Sequence, residues 1–251
     1  MKMHALSGGR VRMRKSVYIP GAERSETIEL PVSCFLLRHS QGNVLFDTGC
    51  HPSAAEDPVG RWGGMAKIMT PIMTPDVNVL TGLAGIGFSA DDIDVVVCSH
   101  LHPDHCGCNV FFKRATIMVH RKDVAAARAP DAEAMGYLAA EWDFGTFDQL
   151  DGQRDLFGDS RIVLIPLPGH TPGSTGALVQ LERHRFLLAA DAVPLRVTLD
   201  QGVVPRNFRD VDEALKSLEE VRRIEAGGAT VLCGHDAAQW ETLRKGADFY
   251  D

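Results

Sequence analysis

The chain has 251 residues, 45% of them hydrophobic and 24% charged, with a formal net charge of −7; this is an ordinary globular composition and enough chain for a sizeable core. The acidic balance excludes nucleic acid as the main partner, because phosphate binding relies on clustered Lys and Arg, and leaves a small, not strongly anionic substrate. No apolar run approaches the roughly 18 residues of a membrane-spanning helix, so no membrane partner is expected. Six scattered cysteines and a start, MKMHALSGGR, with no apolar leader run place the chain in a reducing cytoplasm.

In chain order, "ELPVSCFLLRHSQGNVLFDTG" from Glu29 reads as two apolar strands around a polar turn, a hairpin signal. Residues 51 to 76 carry Pro52, Pro58, Pro71 and Pro75 as breakers, yet Trp62, Met65, Ile68, Met69 and Met73 make them too apolar for a plain solvated loop. A helix is expected near Val77 to Gly85, then a turn, then "VVVCSH" as a buried strand. Helices are expected over Lys122 to Ala129 and Asp131 to Trp142, followed by the strand "RIVLIPL" and the hairpin "TGALVQLERHRFLLAAD" ending on Asp191. Asp210 to Glu225 reads as an amphipathic helix with Val211, Leu215, Leu218, Val221 and Ile224 on one stripe. "VVVCSH" is echoed by "TVLCGH", an echo that two half-domains of similar build would explain. No linker divides residues 1 to 251, so one domain is expected.

The stretch "SHLHPDHCGC" places His100, His102, Asp104 and His105 at the end of a strand. Imidazole and carboxylate without thiolate are the ligands of a catalytic metal, which stays Lewis-acidic with an exchangeable water. In an extended segment alternate residues point the same way, so His100, His102 and Asp104 would face one side while adjacent Asp104 and His105 would not share one ion. That spacing favours two metals. His170 in "PLPGHTPGS", Asp191 in "LLAAD" and His235 in "VLCGHD" are further candidates at strand ends. Such a pair of ions points to metal-assisted hydrolysis.

The remaining candidates take structural readings. His4, His39, His51 and His184 are expected at the surface and His120 in the core or rim. Cys106 and Cys108 are expected to be small buried residues rather than ligands. "DTG" at Asp47 resembles an aspartic protease signature, but that chemistry needs two carboxylates sharing a proton and one copy is present. Asp47 is therefore read as holding other side chains in place.

His-x-His-x-Asp-His, followed by a separate His, an Asp and a final His, resembles the signature of the metallo-β-lactamase superfamily, and all seven residues occur here in that order. The resemblance spans nearly the whole chain and implies an α/β (α+β) fold, the four-layer αββα sandwich, with metals at the edge of two facing sheets. Within the superfamily, "ELPVSCFLL", "VLFDTGCHPS", "SHLHPDHCGCN", "PLPGHTPGS" and "VLCGHD" are similar to the N-acyl homoserine lactonases, the quorum-quenching enzymes. It implies that His100, His102 and His170 hold one divalent ion, that Asp104, His105 and His235 hold the other, and that Asp191 bridges them. Zinc is the first expectation, with iron, manganese and cobalt as alternatives. The resemblance further implies hydroxide attack on a lactone carbonyl, with Asp104 as proton shuttle, and an acyl-chain surface built by Trp62, Met65, Met69 and Met73. One departure stands out: these lactonases carry a Tyr three residues after the bridging Asp, and Pro194 stands there in this chain. Nothing in the sequence places Tyr18, Tyr137 or Tyr250 in the site.

Rival functions on the same fold are hydrolysis of another lactone, ester or thioester, and non-catalytic binding of a metal or signal. A glutathione thioesterase would need a helical C-terminal addition, and the chain ends sixteen residues after His235. A binding module would be marked by loss of a ligand, and none is lost. The expected partner is a small lactone or ester, with the protein a monomer or homodimer.

Overall fold

A computed structural model describes all 251 residues. A seven-stranded sheet is built from β1 (Lys2–Arg14), β2 (Thr27–His39), β3 (Gly42–Phe46), β4 (Thr70–Pro71), β5 (Val95–Val97), β6 (Thr116–His120) and β7 (Asp148–Leu150), in the order β4-β1-β2-β3-β5-β6-β7. β8 (Arg154–Asp155), β9 (Ile162–Pro166), β10 (Thr175–Gln180), β11 (Arg185–Ala190) and β12 (Thr230–Cys233) form a five-stranded sheet in the order β12-β11-β10-β9-β8. The hairpin expected from Glu29 is β2 and β3, antiparallel with Phe35 opposite Phe46 and Leu37 opposite Val44.

Alternation along each strand sorts side chains between two faces. Phe35 and Leu37 of β2 meet Ile162, Val179, Leu188 and Leu232 of the other sheet in a core between the sheets. Cys34 and Leu36 point the opposite way, toward Val79, Leu83 and Val124. On the far side, Leu187 and Ala189 of β11 pack on Leu218, Val221 and Ile224. The four layers are thus helix, sheet, sheet, helix, as the resemblance implied.

The helices are short except one: α1 (Ser53–Glu56), α2 (Pro58–Trp62), α3 (Val79–Ala84), α4 (Pro103–Cys106), α5 (Arg121–Ala127), α6 (Ala139–Trp142), α7 (Arg196–Gln201), α8 (Val211–Ala226) and α9 (Ala237–Thr242). Asp210 caps α8 by accepting from the Glu213 N–H at 2.9 Å. The buried stripe of α8 is Ala214, Ser217, Leu218, Val221 and Ile224, while Val211 and Leu215 are 54% and 41% exposed. The expected stripe therefore slips at its first two positions, because small Ala214 and Ser217 carry the close approach to Pro168 and Gly169 in the loop after β9. The Ser217 hydroxyl donates to the Pro168 carbonyl at 2.6 Å.

The helix expected over Asp131 to Trp142 is replaced by a 3-10 turn at Glu133–Met135 and the single turn α6. Gly136 breaks it with a left-handed φ of 95°, and a side chain there would meet the His102 ring. The two echoed segments differ in setting: β5 lies inside its sheet and β12 at an edge of a sheet with fewer strands. No helix is long and apolar enough to cross a membrane.

Candidate metal centre

Five strands deliver their C-terminal ends to one side of the sandwich: Asp47 follows β3, His100 follows β5, His170 follows β9, Asp191 follows β11 and His235 follows β12. His100, Asp104, His105, His170, Asp191 and His235 are each at most 5% exposed, and His102 lines the rim. Their ligand atoms fall into three groups, each within 4.8 Å: His100, His102 and His170; Asp104, His105 and His235; and His100, His105 and Asp191.

The alternation expected from His100 to Asp104 fails, because the chain leaves extended geometry at Pro103 and enters the turn α4. A turn of helix points adjacent residues 100° apart rather than to opposite faces. Asp104 and His105 therefore converge on His235, with Asp104 Oδ2 3.6 Å from both His105 Nε2 and His235 Nε2. Asp191 reaches both groups. Its Oδ1 is 2.9 Å from His235 Nε2 and 3.3 Å from His105 Nε2, while Oδ2 is 3.4 Å from His170 Nε2.

Asp47 holds the loop from below. It accepts from the Ser99 N–H at 2.7 Å, the Ser99 hydroxyl at 2.8 Å and His105 Nδ1–H at 2.8 Å. Asp47 and Ala190 both have left-handed backbones, φ 60° and 44°, strain of the kind found where a side chain must be aimed. Gly234 lies so close to Asp191 that a Cβ would meet its Oδ1 at 2.8 Å, so only glycine lets His235 approach the carboxylate. Asp123 is fully buried and accepts from the Leu101 N–H at 2.8 Å and the Tyr137 hydroxyl at 3.0 Å, pinning the segment between His100 and His102.

The outer nitrogens fix the protons on the inner ones. His235 Nδ1 donates to the Pro31 carbonyl at 2.9 Å, His102 Nε2 to the Met135 carbonyl at 3.0 Å and His105 Nδ1 to Asp47. His100 Nδ1 sits 3.0 Å from the Ser99 oxygen, whose own proton goes to Asp47. In the neutral rings the inner nitrogens are then bare lone pairs. His102 Nδ1 lies 3.1 Å from both His100 Nε2 and His170 Nε2, a repulsive contact without a cation between the bare atoms. His105 Nε2 and Asp191 Oδ1 are buried with no hydrogen-bond partner in good geometry. The residues present fit divalent cations.

The electrostatics divide the site. Burial and its histidine neighbours hold His100 well below 6.5, and burial brings His170 down to about 3. Burial also opposes charge on His105 and His235, but Asp104, Asp191 and Asp47 outweigh it at His105, and Asp191 with Asp104 at His235, so both are raised. Burial would raise Asp191; the surrounding His235, His105 and His170 overcome this and hold it well below the usual carboxylate range.

No cysteine belongs to any ligand group, and all six are free and buried. Burial raises the Cys106 thiol well above its ordinary value, as expected of a packed rather than reactive residue. His120 is buried and accepts from the Lys122 N–H at the start of α5. His4 departs from its surface expectation: it is buried, and its Nδ1 meets the Gly246 carbonyl at 2.8 Å.

A cavity of about 270 Å³ opens onto His102, Asp104, His170 and Asp191. Met65 and Met69 line it, joined by Ile68 and Met13. Trp62 and Met73 do not. Trp62 is 2% exposed and donates its indole N–H to the buried Glu141 at 2.9 Å, a carboxylate also held by Arg61 at 2.7 Å. Met73 packs half-buried behind Gly9. Sequence reasoning missed Tyr18 and Asn207, which lie in the lining although they are distant from every ligand in the chain. Burial and the Asp191 and Asp104 charges keep the Tyr18 phenol protonated. Pro194 turns its carbonyl to the His235 N–H at 2.8 Å.

An αββα sandwich with a cluster of histidines and aspartates at its strand ends is the architecture of a metal-dependent hydrolase. Residues 27–235 match the family model of the metallo-beta-lactamase superfamily, and the chain belongs to that superfamily. The N-acyl homoserine lactonase AttM of Azorhizobium caulinodans is 32% identical over 233 residues, covering 89% of this chain and 88% of that protein. AiiB of Agrobacterium fabrum, also an N-acyl homoserine lactonase, is 31% identical over 247 residues, 90% of this chain and 87% of that one. Among solved structures, an N-acyl homoserine lactone hydrolase with the product N-hexanoyl-L-homoserine at its catalytic metal centre matches with a TM-score of 0.89 and 25% identity, over 99% of this chain and 98% of that one. The dizinc quorum-quenching lactonase AidC shares the fold, with a TM-score of 0.72 at 19% identity over 94% and 87% of the two chains.

Proposed function

We propose that this protein is a metal-dependent hydrolase that opens the lactone ring of N-acyl homoserine lactones, with His100, His102, Asp104, His105, His170, Asp191 and His235 holding two divalent ions, zinc foremost. The observation that carries the reading is Asp191, whose two oxygens face two separate sets of bare imidazole nitrogens. The lactonase relatives supply the substrate class.

When bound, the ions supply Lewis acidity and lower the pKa of water toward neutrality. The chain's own residues do the rest. The outer-nitrogen hydrogen bonds of His102, His105 and His235 aim those imidazoles and place a proton on the nitrogen that faces away from the site. Asp104 lines the cavity, where its carboxylate would carry a proton from the attacking water to the ring oxygen as the ring C–O bond breaks. The product is the ring-opened hydroxy acid. Met65 and Met69, with Ile68, give the acyl chain an apolar wall.

The test is a panel of homoserine lactones of differing acyl length, with simple γ-lactones and aryl esters beside them. The expected result is ring-opened N-acyl homoserine formed by the metal-loaded protein, abolished by a chelator and restored by divalent metal. Fully metallated protein that turns over none of the homoserine lactones overturns the reading.

A further inference from the structure

The lactone ring has only acceptor oxygens, whereas an N-acyl homoserine lactone also carries a secondary amide with one N–H donor and one carbonyl acceptor. Buried against protein, that N–H costs free energy unless an acceptor meets it. Among the residues lining the cavity outside the seven ligands, Tyr18 and Asn207 alone offer uncharged polar side chains.

Both have unused capacity. Asn207 Oδ1 is buried and has no hydrogen-bond partner in the protein, a situation native structures seldom leave without a ligand or water to answer it. The Tyr18 hydroxyl donates to the Met13 sulfur at 3.2 Å, a thioether that accepts weakly. The Asn207 side chain lies beside that phenol. One bare acceptor next to one poorly employed donor is the complement of a secondary amide.

The two side chains are also held in place before any ligand arrives. The Arg206 N–H donates to the Val17 carbonyl at 2.9 Å, tying the segment that carries Asn207 to the residue before Tyr18. The Arg209 N–H donates to the Gly169 carbonyl at 2.8 Å, anchoring the same segment next to His170, and the Phe208 ring stacks edge-on against His170 at 5.1 Å. Tyr18 itself is 2% exposed and packed with Leu30, Trp62 and Met69. Such preorganisation lowers the ordering cost of recognition.

We infer that Tyr18 and Asn207 form an amide clamp: Asn207 Oδ1 accepts from the substrate N–H, and the Tyr18 hydroxyl donates to the acyl carbonyl, so the enzyme prefers N-acylated lactones over lactones of equal size without the amide. The inference rests on the lactonase reading above and adds the selectivity of that same site.

The experiment compares kcat/KM for N-hexanoyl homoserine lactone with that for a γ-butyrolactone bearing an alkyl chain of equal length in place of the acylamino group. It uses metal-loaded parent, Asn207→Leu and Tyr18→Phe, with metal content and thermal melting measured for each. The quantity read is the ratio of the two kcat/KM values, which a general loss of folding or metal leaves unmoved. Loss of one hydrogen bond corresponds to a roughly tenfold fall in that ratio in each variant. The inhibition constants of the two ring-opened products are expected to converge in the same way. A ratio within twofold of the parent's in either variant overturns the clamp. Parent protein that hydrolyses neither compound at full metal content instead overturns the lactonase reading, so the two failures are distinct.

Discussion

The two ends of the cavity are built in opposite ways. At the metal end, buried side chains leave the ends of paired strands, and several are aimed by a hydrogen bond from the far side, as His105 is by Asp47 and His235 by the Pro31 carbonyl. At the acyl end, Met65 and Met69 come from a 3-10 turn and its exit, and Ile68 between them is 59% exposed. Chemistry requires ions placed to a few tenths of an ångström, while an acyl chain accepts any apolar surface of about the right shape. Rigid strand ends supply the first and pliable methionines the second.

If that contrast holds, substitutions at the metal end remove activity outright and those at the acyl end change preference. Asp191→Ala, which deletes the carboxylate shared by both ligand sets, is expected to lower kcat/KM by roughly a thousandfold or more and to lower metal content; retained metal with near-parent turnover refutes its assignment. Asp47→Ala leaves every ligand in place but frees His105, and metal affinity is expected to fall by roughly 10- to 100-fold, measured by competition with a chromophoric chelator. Met69→Ala is expected to reduce kcat/KM for long-chain substrates about tenfold relative to short-chain ones, the order of a few methylenes of lost contact, while metal content stays at the parent value. An equal loss for all chain lengths erases the distinction between the two ends.

The smallest expected effect is one of pH. In the metal-free fold His105 and His235 have raised pKa values because Asp104 and Asp191 outweigh their burial. Their protonation therefore stabilises that fold fully below the unfolded value of about 6.5 and is lost as pH rises through the raised values. Bound cations need the same nitrogens bare. The gap in melting temperature between metal-loaded and metal-free protein should widen from about pH 6 to about pH 8; a constant or narrowing gap contradicts the ligand assignment.

The same contrast decides what the sequence made legible. Few residue types bind divalent metals, so His170, Asp191 and His235 stood out after apolar runs, and the resemblance grouped them with the His100 to His105 cluster in the way the structure brings them together. Local spacing misled at Asp104, because the turn at Pro103 converts an extended alternation into a helical step. Apolar residues carry no such mark: Trp62 and Met69 looked alike in the sequence, yet one is fastened to Glu141 in the core and the other faces the cavity. Tyr18 and Asn207 were illegible because they reach the site only through tertiary folding, across the pairing of Val17 with Arg206.

The central claim is that seven residues hold two ions and that the pair opens a homoserine lactone. Metal-free protein titrated with zinc, with hydrolysis of N-hexanoyl homoserine lactone followed at each step, tests it most directly. The account predicts activity that rises until two equivalents per chain are bound and then levels; activity that saturates at one equivalent, or two bound equivalents with no turnover, contradicts it.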